Sequence, residues 1–309
     1  MKKKVIVDCD NTMGRPFSEI DDGLTILYLL GREDIDLLGI TNCYGNASLR
    51  EVEYWTDRFL HDIDRADIPR LSGKPYSGQN STEWFKATWG KHFIDEKPNF
   101  EGTSEAAHFL VEQVSKYPGE IHLLALGSMT NLFEAFIVDP TFFSKLNEIA
   151  LMGGVLGDFA VDGRPCAELN LACNPAGAHG VLNNGCCPVV VMNAHICLQA
   201  PFLGGDMDRI SYWPERRRQM VREWIGVFGG KFYLWDLLPA VYLSYPDLFD
   251  LKKAMISSTI EDLNIGLLKR TDGGAEVIMP DEILDVEGFQ NAVHSAWATE
   301  WGKESQGWR

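Results

Sequence analysis

The sequence lacks any apolar run close to the roughly 20 residues that a helix needs to cross a membrane. Its first apolar stretch, residues 5–7, is very short and ends at the charged Asp8. We therefore expect a first strand here rather than a signal peptide. Together the two absences predict a protein that has no membrane partner and is located in the cytoplasm.

Basic residues are scarce. The chain has 28 Lys and Arg against 44 Asp and Glu, which gives a formal net charge of −16. A surface with that balance repels nucleic acid phosphates and anionic lipid headgroups, so the composition excludes nucleic acid as a partner. It tolerates neutral or cationic ligands and attracts divalent metal ions, although a need for solubility alone would also explain it.

The sequence has no disulfide framework either. Its seven cysteines are odd in number, and no two of them have the CxxC spacing of a zinc site or a redox motif. Most of them lie in apolar runs. This pattern indicates buried thiols in a reducing compartment.

Short apolar runs alternate with amphipathic stretches along the chain. The predicted strands cover residues 5–7, 37–41, 121–125, 148–152 and 189–192, and the predicted helices include residues 24–30, 49–63, 104–116, 131–137 and 174–182. This alternation predicts an α/β fold with an open, mainly parallel sheet flanked by helices. We expect a single domain over residues 1–309.

Two segments do not follow the alternation. Residues 72–102 are polar and rich in Gly, Pro, Trp and Phe, without a clear period. A loop of that length in a compact domain is usually functional. Residues 211–235 are predicted to be helical and are unusually aromatic.

Four acids stand where the first strand ends and the first helix begins. Asp8 and Asp10 follow the strand, and Asp21 and Asp22 precede the helix. Ligands of open α/β sheets bind at this edge. Clustered carboxylates repel one another unless a positive group lies among them, and a hard divalent cation is the simplest candidate. Asp is also a common N-cap, so Asp21 or Asp22 could instead cap the helix.

Polar groups recur at the ends of the later strands. In chain order they are Gly45-Asn46, residues 127–131, residues 152–154, residues 166–170 and Trp235-Asp236. Each of them alone is compatible with a turn or a helix cap. Their recurrence at one edge of the predicted sheet favours a shared site.

Taken together, these segments resemble the inosine–uridine-preferring nucleoside hydrolase family over residues 4–250. The family opens with DxDPGxDD, which Asp8, Asp10, Asp21 and Asp22 match in order. The other matching segments are Gly39-Ile40-Thr41 with Gly45-Asn46, residues 127–131, residues 151–154, Ala167-Glu168-Leu169-Asn170, and Trp235-Asp236 in place of His-Asp. Each motif alone is weak, but the set is jointly specific.

The resemblance implies calcium-dependent hydrolysis of the N-glycosidic bond of a small-molecule nucleoside. Carried over by position, the calcium ligands would be Asp10, Asp22, Asp236 and the main-chain carbonyl of Leu126. The ribose contacts would be Asp21, Asn46, Met152 through its main chain, Glu168 and Asn170. Asp10 would also act as the general base. Family members are usually homodimers or homotetramers.

Two departures from the family pattern matter. Residues 11–20 form a longer first loop than usual, and this loop includes Arg15 and Glu19, which could reshape the mouth of the pocket. Trp235 stands where many members carry His, as in the purine-specific branch, where the base is held between two indoles. Trp84 or Trp89 could supply the second ring, or these residues could simply pack in a core or lid.

Two rival interpretations remain. The segment from Asp8 to Thr12 also fits DxDxT, the nucleophile motif of haloacid-dehalogenase-like phosphatases, with Asp8 as nucleophile and Asp10 as acid and base. The late strand with paired acids that such enzymes carry is not evident here. The other alternative is a nucleoside- or sugar-binding protein without catalytic activity.

Overall fold

The computed structural model describes residues 2–75, 101–227 and 229–302. Within them the strands are β1 Lys3–Cys9, β2 Ile35–Asn42, β3 Arg70–Ser72, β4 Ile121–Ala125, β5 Leu146–Met152, β6 Ala160–Val161, β7 Arg164–Pro165, β8 Val189–Met192, β9 Pro201–Leu203, β10 Lys231–Tyr233, β11 Lys253–Ile256, β12 Arg270–Thr271 and β13 Ala275–Ile278.

The helices lie between these strands. They are α1 Asp21–Leu30, α2 Leu49–Asp62, α3 Glu105–Lys116, α4 Thr130–Val138, α5 Asn170–Cys173, α6 Pro175–Leu182, α7 Ala194–Cys197, α8 Glu215–Val227, α9 Leu237–Ser244, α10 Ile260–Leu263 and α11 Val286–Gly302, with short 3-10 turns at Phe143–Lys145, Gly204–Ile210 and Pro246–Leu248. No helix in the described part of the chain is long and apolar enough to cross a membrane.

Nine described strands form one sheet in the order β12-β11-β13-β8-β5-β4-β1-β2-β3. Neighbours from β13 to β3 pair in parallel, and β11 pairs antiparallel with both β13 and β12. The prediction of an open, mainly parallel sheet flanked by helices is therefore confirmed. The expectation of one domain over residues 1–309 stays a prediction.

The central strands are buried on both faces. In β1, Val5 and Val7 belong to one hydrophobic cluster, whereas Ile6 belongs to a second cluster on the opposite face. The same alternation separates Leu123 from Leu124 in β4. Because helices cover both faces, such strands read in the sequence as continuous apolar runs rather than as alternating patterns.

Two predicted helices differ from the structure. Helix α1 begins at Asp21 rather than at residue 24, and Ile20 occupies its N-cap position without a side-chain cap bond. Asp21 and Asp22 lie in the first helical turn, so the capping alternative is wrong. The aromatic segment 211–235 is not helical throughout, because residues 231–233 pair with β9 as the strand β10.

The prediction of buried thiols is confirmed for some of the cysteines, and the reducing compartment stays a prediction. All seven cysteines are free of disulfides, and four of them are buried: Cys9, Cys43, Cys173 and Cys197. Cys186 is exposed. Most of the loop predicted over residues 72–102, including Trp84 and Trp89, lies outside the described residues.

Candidate active site

The sheet has a topological switch point between β1 and β4. From β1 the chain builds β2 and β3 on one side of the sheet, and β4, β5 and β8 on the other. In open α/β sheets, ligands bind at the carboxyl ends of the strands beside such a point. Asp8 and Asp10 lie at the end of β1, and Leu126 directly follows β4. The sequence-predicted acids therefore stand where this fold places its ligand sites.

Asp8 connects structural elements rather than facing an opening. Its Oδ1 accepts hydrogen bonds from the Thr41 hydroxyl on β2 and from Asn131 Nδ2 on α4, the latter at 2.7 Å. The side chain is completely buried, and burial raises the pKa of its carboxyl to about 7. The phosphatase alternative requires Asp8 as an accessible nucleophile, and this environment argues against that role.

Asn46 holds Asp10 at the edge of the site. Its main-chain N–H donates to Asp10 Oδ2 at 2.5 Å, and its side-chain amide lies 3.3 Å from both Asp10 Oδ1 and Asp22 Oδ2. Gly45 is needed here, because a Cβ at that position would lie 1.7 Å from Asp10 Oδ2. Burial raises the pKa of Asp10 to about 7, against the effect of the Asn46 hydrogen bond.

Four more carboxylates converge beside Asp10, and we call them the acidic group: Glu19, Asp21, Asp22 and Asp236. Each offers an oxygen that lies within 4.8 Å of the oxygens of the other three. Burial is the main cause that raises their pKa values, to about 6 for Asp21 and well above the usual range for Glu19, Asp22 and Asp236. Repulsion between the neighbouring carboxylates adds to this effect.

The acidic group fits a hard divalent cation. Asp22 Oδ1 and Glu19 Oε2 are buried atoms without a hydrogen-bond partner. None of the described Lys or Arg side chains forms an ion pair with the group. Unpaired buried carboxylate oxygens are costly, and convergent oxygens are the donor set that Ca²⁺ and Mg²⁺ prefer. Asp22 and Asp236, two of the predicted metal ligands, are thus brought together, with Asp10 joined to Asp22 through Asn46.

Glu168 and Asn170 lie at the ends of β4 and β5. Glu168 accepts hydrogen bonds from the main-chain N–H groups of Gly154, Leu171 and Ala172 at 2.9–3.1 Å. Asn170 Nδ2 donates to the Leu126 carbonyl at 2.7 Å and to the Met152 carbonyl at 3.1 Å. The carbonyl of Leu126, predicted as a metal ligand, thus faces the same place as the predicted ribose contacts.

These residues border a cleft at the carboxyl ends of the strands. The predicted residues that line it are Asp21, Asn46, Leu126, Met152, Glu168, Asn170, Trp235 and Asp236. Asp10 and Asp22 lie behind this lining, in contact with Asn46.

Part of the cleft wall is aromatic. Trp235, Phe159 and Trp224 all line it, and the rings of Phe159 and Trp235 meet edge to face with centroids 6.1 Å apart. Sequence reasoning missed Phe159 and Trp224. Trp224 lies in the aromatic segment that the sequence singled out, but no periodicity indicated which ring would face the cleft. Phe159 had no signal beyond its position after the 152–154 strand end.

Comparisons with known proteins agree with this geometry. The family model described as inosine-uridine preferring nucleoside hydrolase matches residues 5–291. Uridine nucleosidase 1 of Arabidopsis thaliana is 28% identical over 319 residues, which cover 94% of this chain and 92% of that protein.

Solved structures show the same fold. A plant nucleoside hydrolase matches with a TM-score of 0.78 at 22% identity, covering 96% of this chain and 99% of its own. A purine-preferring ribonucleoside hydrolase from Gardnerella vaginalis matches with a TM-score of 0.80 at 20% identity, covering 97% and 99%. At such identities these two matches establish the fold alone.

Proposed function

We propose that this chain, which belongs to the inosine-uridine preferring nucleoside hydrolase family, hydrolyses purine ribonucleosides with the help of one calcium ion. Family membership makes it a ribonucleoside hydrolase that cleaves the N-glycosidic bond of a small-molecule nucleoside. The observation that carries the proposal is the acidic group beside a cleft with an aromatic wall.

The cation is proposed from the donor set. Asp10, Asp22, Asp236 and the Leu126 carbonyl would hold it, all through hard oxygens. Calcium accepts about six to eight oxygen ligands in flexible geometry, which suits a group of several carboxylates better than the strict octahedron of magnesium. When bound, the ion would neutralise the carboxylates and provide Lewis acidity at the sugar end of the cleft.

The residues around the ribose would act on charge and protons. Cleavage of a glycosidic bond passes through an oxocarbenium-like sugar, which develops positive charge. Asp21 and Glu168 place carboxylate oxygens where they would stabilise that charge. Asn170 would orient a sugar hydroxyl, and Asp10 would accept the proton of the attacking water as general base.

The base end of the cleft supports a purine preference. Trp235 has no titratable proton to give to the departing base. Stacking of the base on Trp235, with Phe159 and Trp224 completing the wall, would hold a purine and favour its protonation by solvent. Base–aromatic stacking contributes roughly 1–3 kcal/mol per base. A pyrimidine offers less ring area and is protonated less readily, so it gains less.

The relatives leave the base preference open. The Arabidopsis relative is named for uridine, whereas the Gardnerella structure is described as purine-preferring. The purine proposal therefore depends on Trp235 and its aromatic neighbours in this chain. A homodimer or homotetramer and a cytoplasmic location stay predictions.

The test is release of free base from inosine, adenosine, guanosine, uridine and cytidine, followed by chromatography. We expect purine nucleosides to have the higher kcat/KM. Treatment with a chelator should abolish turnover, and calcium should restore it better than magnesium. Uridine cleaved as well as inosine would overturn the purine preference. Nucleoside binding without base release would favour the non-catalytic alternative.

A further inference from the structure

Glu19 is an unexpected member of the acidic group. It belongs to the segment 11–20, which is longer than the corresponding part of the family motif. Its Oε1 accepts a hydrogen bond from the main-chain N–H of Asp21 at 2.6 Å, at the first residue of α1. The carboxylate is therefore fixed at the start of the helix that also carries Asp22.

The segment 11–20 is anchored on both sides of its loop. The Thr12 hydroxyl donates to the Glu19 carbonyl at 2.8 Å, which closes the loop on itself. Arg15 Nη2 lies 3.2 Å from Glu51 Oε1 on α2, in an ion pair whose side chains are both 11% exposed. Met13 is buried against Gly23 of α1. These contacts hold Glu19 in place rather than leaving it on a free loop.

The second carboxylate oxygen of Glu19 has no partner. Glu19 is 9% exposed, and its Oε2 is a buried atom without a hydrogen bond. The side chain offers an oxygen within 4.8 Å of those of Asp22 and Asp236. Asp22 Oδ1, on the neighbouring carboxylate, is likewise buried and unpartnered. Neither oxygen has a hydrogen-bond donor among the described residues, and a bound cation would satisfy both of them.

We propose that Glu19 is a further carboxylate ligand of the divalent cation, supplied by the segment 11–20. This inference rests on the cation of the proposed function and adds a ligand to the set Asp10, Asp22, Asp236 and Leu126. Ligand charge count is one of the quantities that set the affinity of calcium sites. The segment 11–20 therefore raises the affinity of this chain for its cation above that of the four-ligand set.

The test compares cation binding in the full-length wild type and in Glu19→Gln, Glu19→Asp and Glu134→Gln, all freed of metal by a chelator. Glu134 is a matched control because it is also 9% exposed, loses one charge in the same substitution, and pairs with Lys74 away from the acidic group. The calcium dissociation constant is measured by competition with a chromophoric chelator. Terbium luminescence sensitised by Trp224 and Trp235 gives a second readout that needs no turnover.

We expect Glu19→Gln to weaken calcium binding by about tenfold or more. Glu19→Asp, which keeps the charge on a shorter side chain, should lie between that variant and the wild type. Glu134→Gln should bind calcium as the wild type does. Melting temperatures of the metal-free proteins check that all variants are folded.

A Glu19→Gln variant that binds calcium as tightly as the wild type would overturn the assignment of Glu19 while leaving the proposed function intact. If the same variant also had a raised KM for the nucleoside, Glu19 would be a sugar contact. A wild type that binds no divalent cation would instead overturn the proposed calcium dependence together with this inference.

Discussion

Carboxylates at the two ends of the central strands have pKa values shifted in opposite directions. At the amino ends, Glu148 of β5 lies 2.6 Å from His122 Nδ1 of β4 and accepts a hydrogen bond from the Tyr242 hydroxyl at 3.0 Å. Burial raises the pKa of Glu148, but its contacts with His122, Tyr242 and Lys3 together outweigh burial, so the net shift is downward. At the carboxyl ends, burial raises the pKa of Asp10 and Asp21, and no Lys or Arg in the described part of the chain forms an ion pair with them.

The carboxylate at the amino-end edge has its partners within the protein, whereas the carboxylates at the carboxyl-end edge do not. At the amino ends, His122 and Tyr242 are the partners of the partly buried Glu148. At the carboxyl ends it brings five acids together, and within residues 2–75, 101–227 and 229–302 it supplies them with amide donors but with no Lys or Arg ion pair. Strongly shifted carboxylates in a cleft indicate a functional site, because a structure selected for stability alone would pair or expose them. The predictions below probe this contrast.

The largest effect is expected at Asp10. Asp10→Asn removes the proposed general base while keeping the side chain close in size, so the hydrogen-bonded edge should stay folded. Loss of a general base typically costs about 10²–10⁴-fold in rate. The measurement is kcat on the best nucleoside, with calcium affinity determined alongside. Near-normal turnover in Asp10→Asn would show that another group accepts the proton.

Asp8→Asn is the matched control for Asp10→Asn. Asp8 is two residues away on the same strand end, but it binds Thr41 and Asn131 rather than the cleft. Partial activity should therefore survive its replacement. Complete loss of activity in a folded, calcium-binding Asp8→Asn variant would contradict the supporting role given to Asp8 here.

The next largest effect is expected at Trp235. Trp235→Ala should lower kcat/KM for inosine by about 5- to 150-fold, the equivalent of roughly 1–3 kcal/mol of stacking. Trp235→Phe keeps an aromatic face and should lose less. Tyr54→Ala removes an exposed ring outside the cleft and serves as the control. If Trp235→Ala changes inosine and uridine kinetics equally, Trp235 packs the wall without selecting the base.

The contrast between the edges also predicts opposite stability effects. Glu148→Gln weakens the contact with His122 and should lower the free energy of unfolding by about 1–3 kcal/mol, with kcat/KM unchanged. Asp22→Asn in chelated protein removes one of several like charges and should leave that free energy unchanged or raise it. Urea unfolding of both metal-free variants checks the signs. Equal destabilisation by both would mean that the acidic group needs no cation to be satisfied.

The strands of the sheet were predictable because each one depends on a pattern within a short stretch of sequence. Strands buried on both faces appear as short apolar runs, and amphipathic helices separate them, so the positions of β1, β2, β4, β5 and β8 along the chain follow from the sequence, whereas their order in the sheet does not. The carboxyl-end acids of β1 were predictable for the same reason. Asp8 and Asp10 lie at the carboxyl end of a strand whose position the sheet fixes.

The remaining part of the site depends on packing over long sequence separations. The sequence places Glu19 in a long loop, whereas its position beside Asp22 and Asp236 depends on the contacts that anchor this loop, among them those of Met13 and Arg15. Trp224 stands in an aromatic segment whose helical extent was overestimated, since residues 231–233 form a strand. Which ring faces the cleft is decided by tertiary contacts that no local pattern encodes.

The smallest predicted effect is a pH dependence of the stabilisation by calcium. The pKa of Asp10 rises from 3.8 to about 7 and that of Asp21 to about 6, so the folded, metal-free protein binds more protons than the unfolded chain between about pH 4 and 7. Its stability should therefore fall as the pH rises through this window. Because protons and calcium compete for the same oxygens, stabilisation by calcium should grow with pH over the same range.

The quantity to measure is the difference in melting temperature with calcium and with chelator, between about pH 4.5 and 7.5, around the pKa values of Asp10 and Asp21. The contributions of titrating groups outside the acidic edge cancel in this difference, because they are the same with and without calcium. For example, burial lowers the pKa of His294 to about 4, so the protein becomes less stable as the pH falls from 6.5 towards that value in both conditions. The contacts of Glu148 lower its pKa both with and without calcium, so this group also contributes equally to both measurements. We expect the difference to widen by several degrees as the pH rises. A difference that stays constant would mean that protons do not occupy these carboxylates in the metal-free protein. The pKa values at the carboxyl ends would then not be raised, and the contrast between the two strand ends would be wrong.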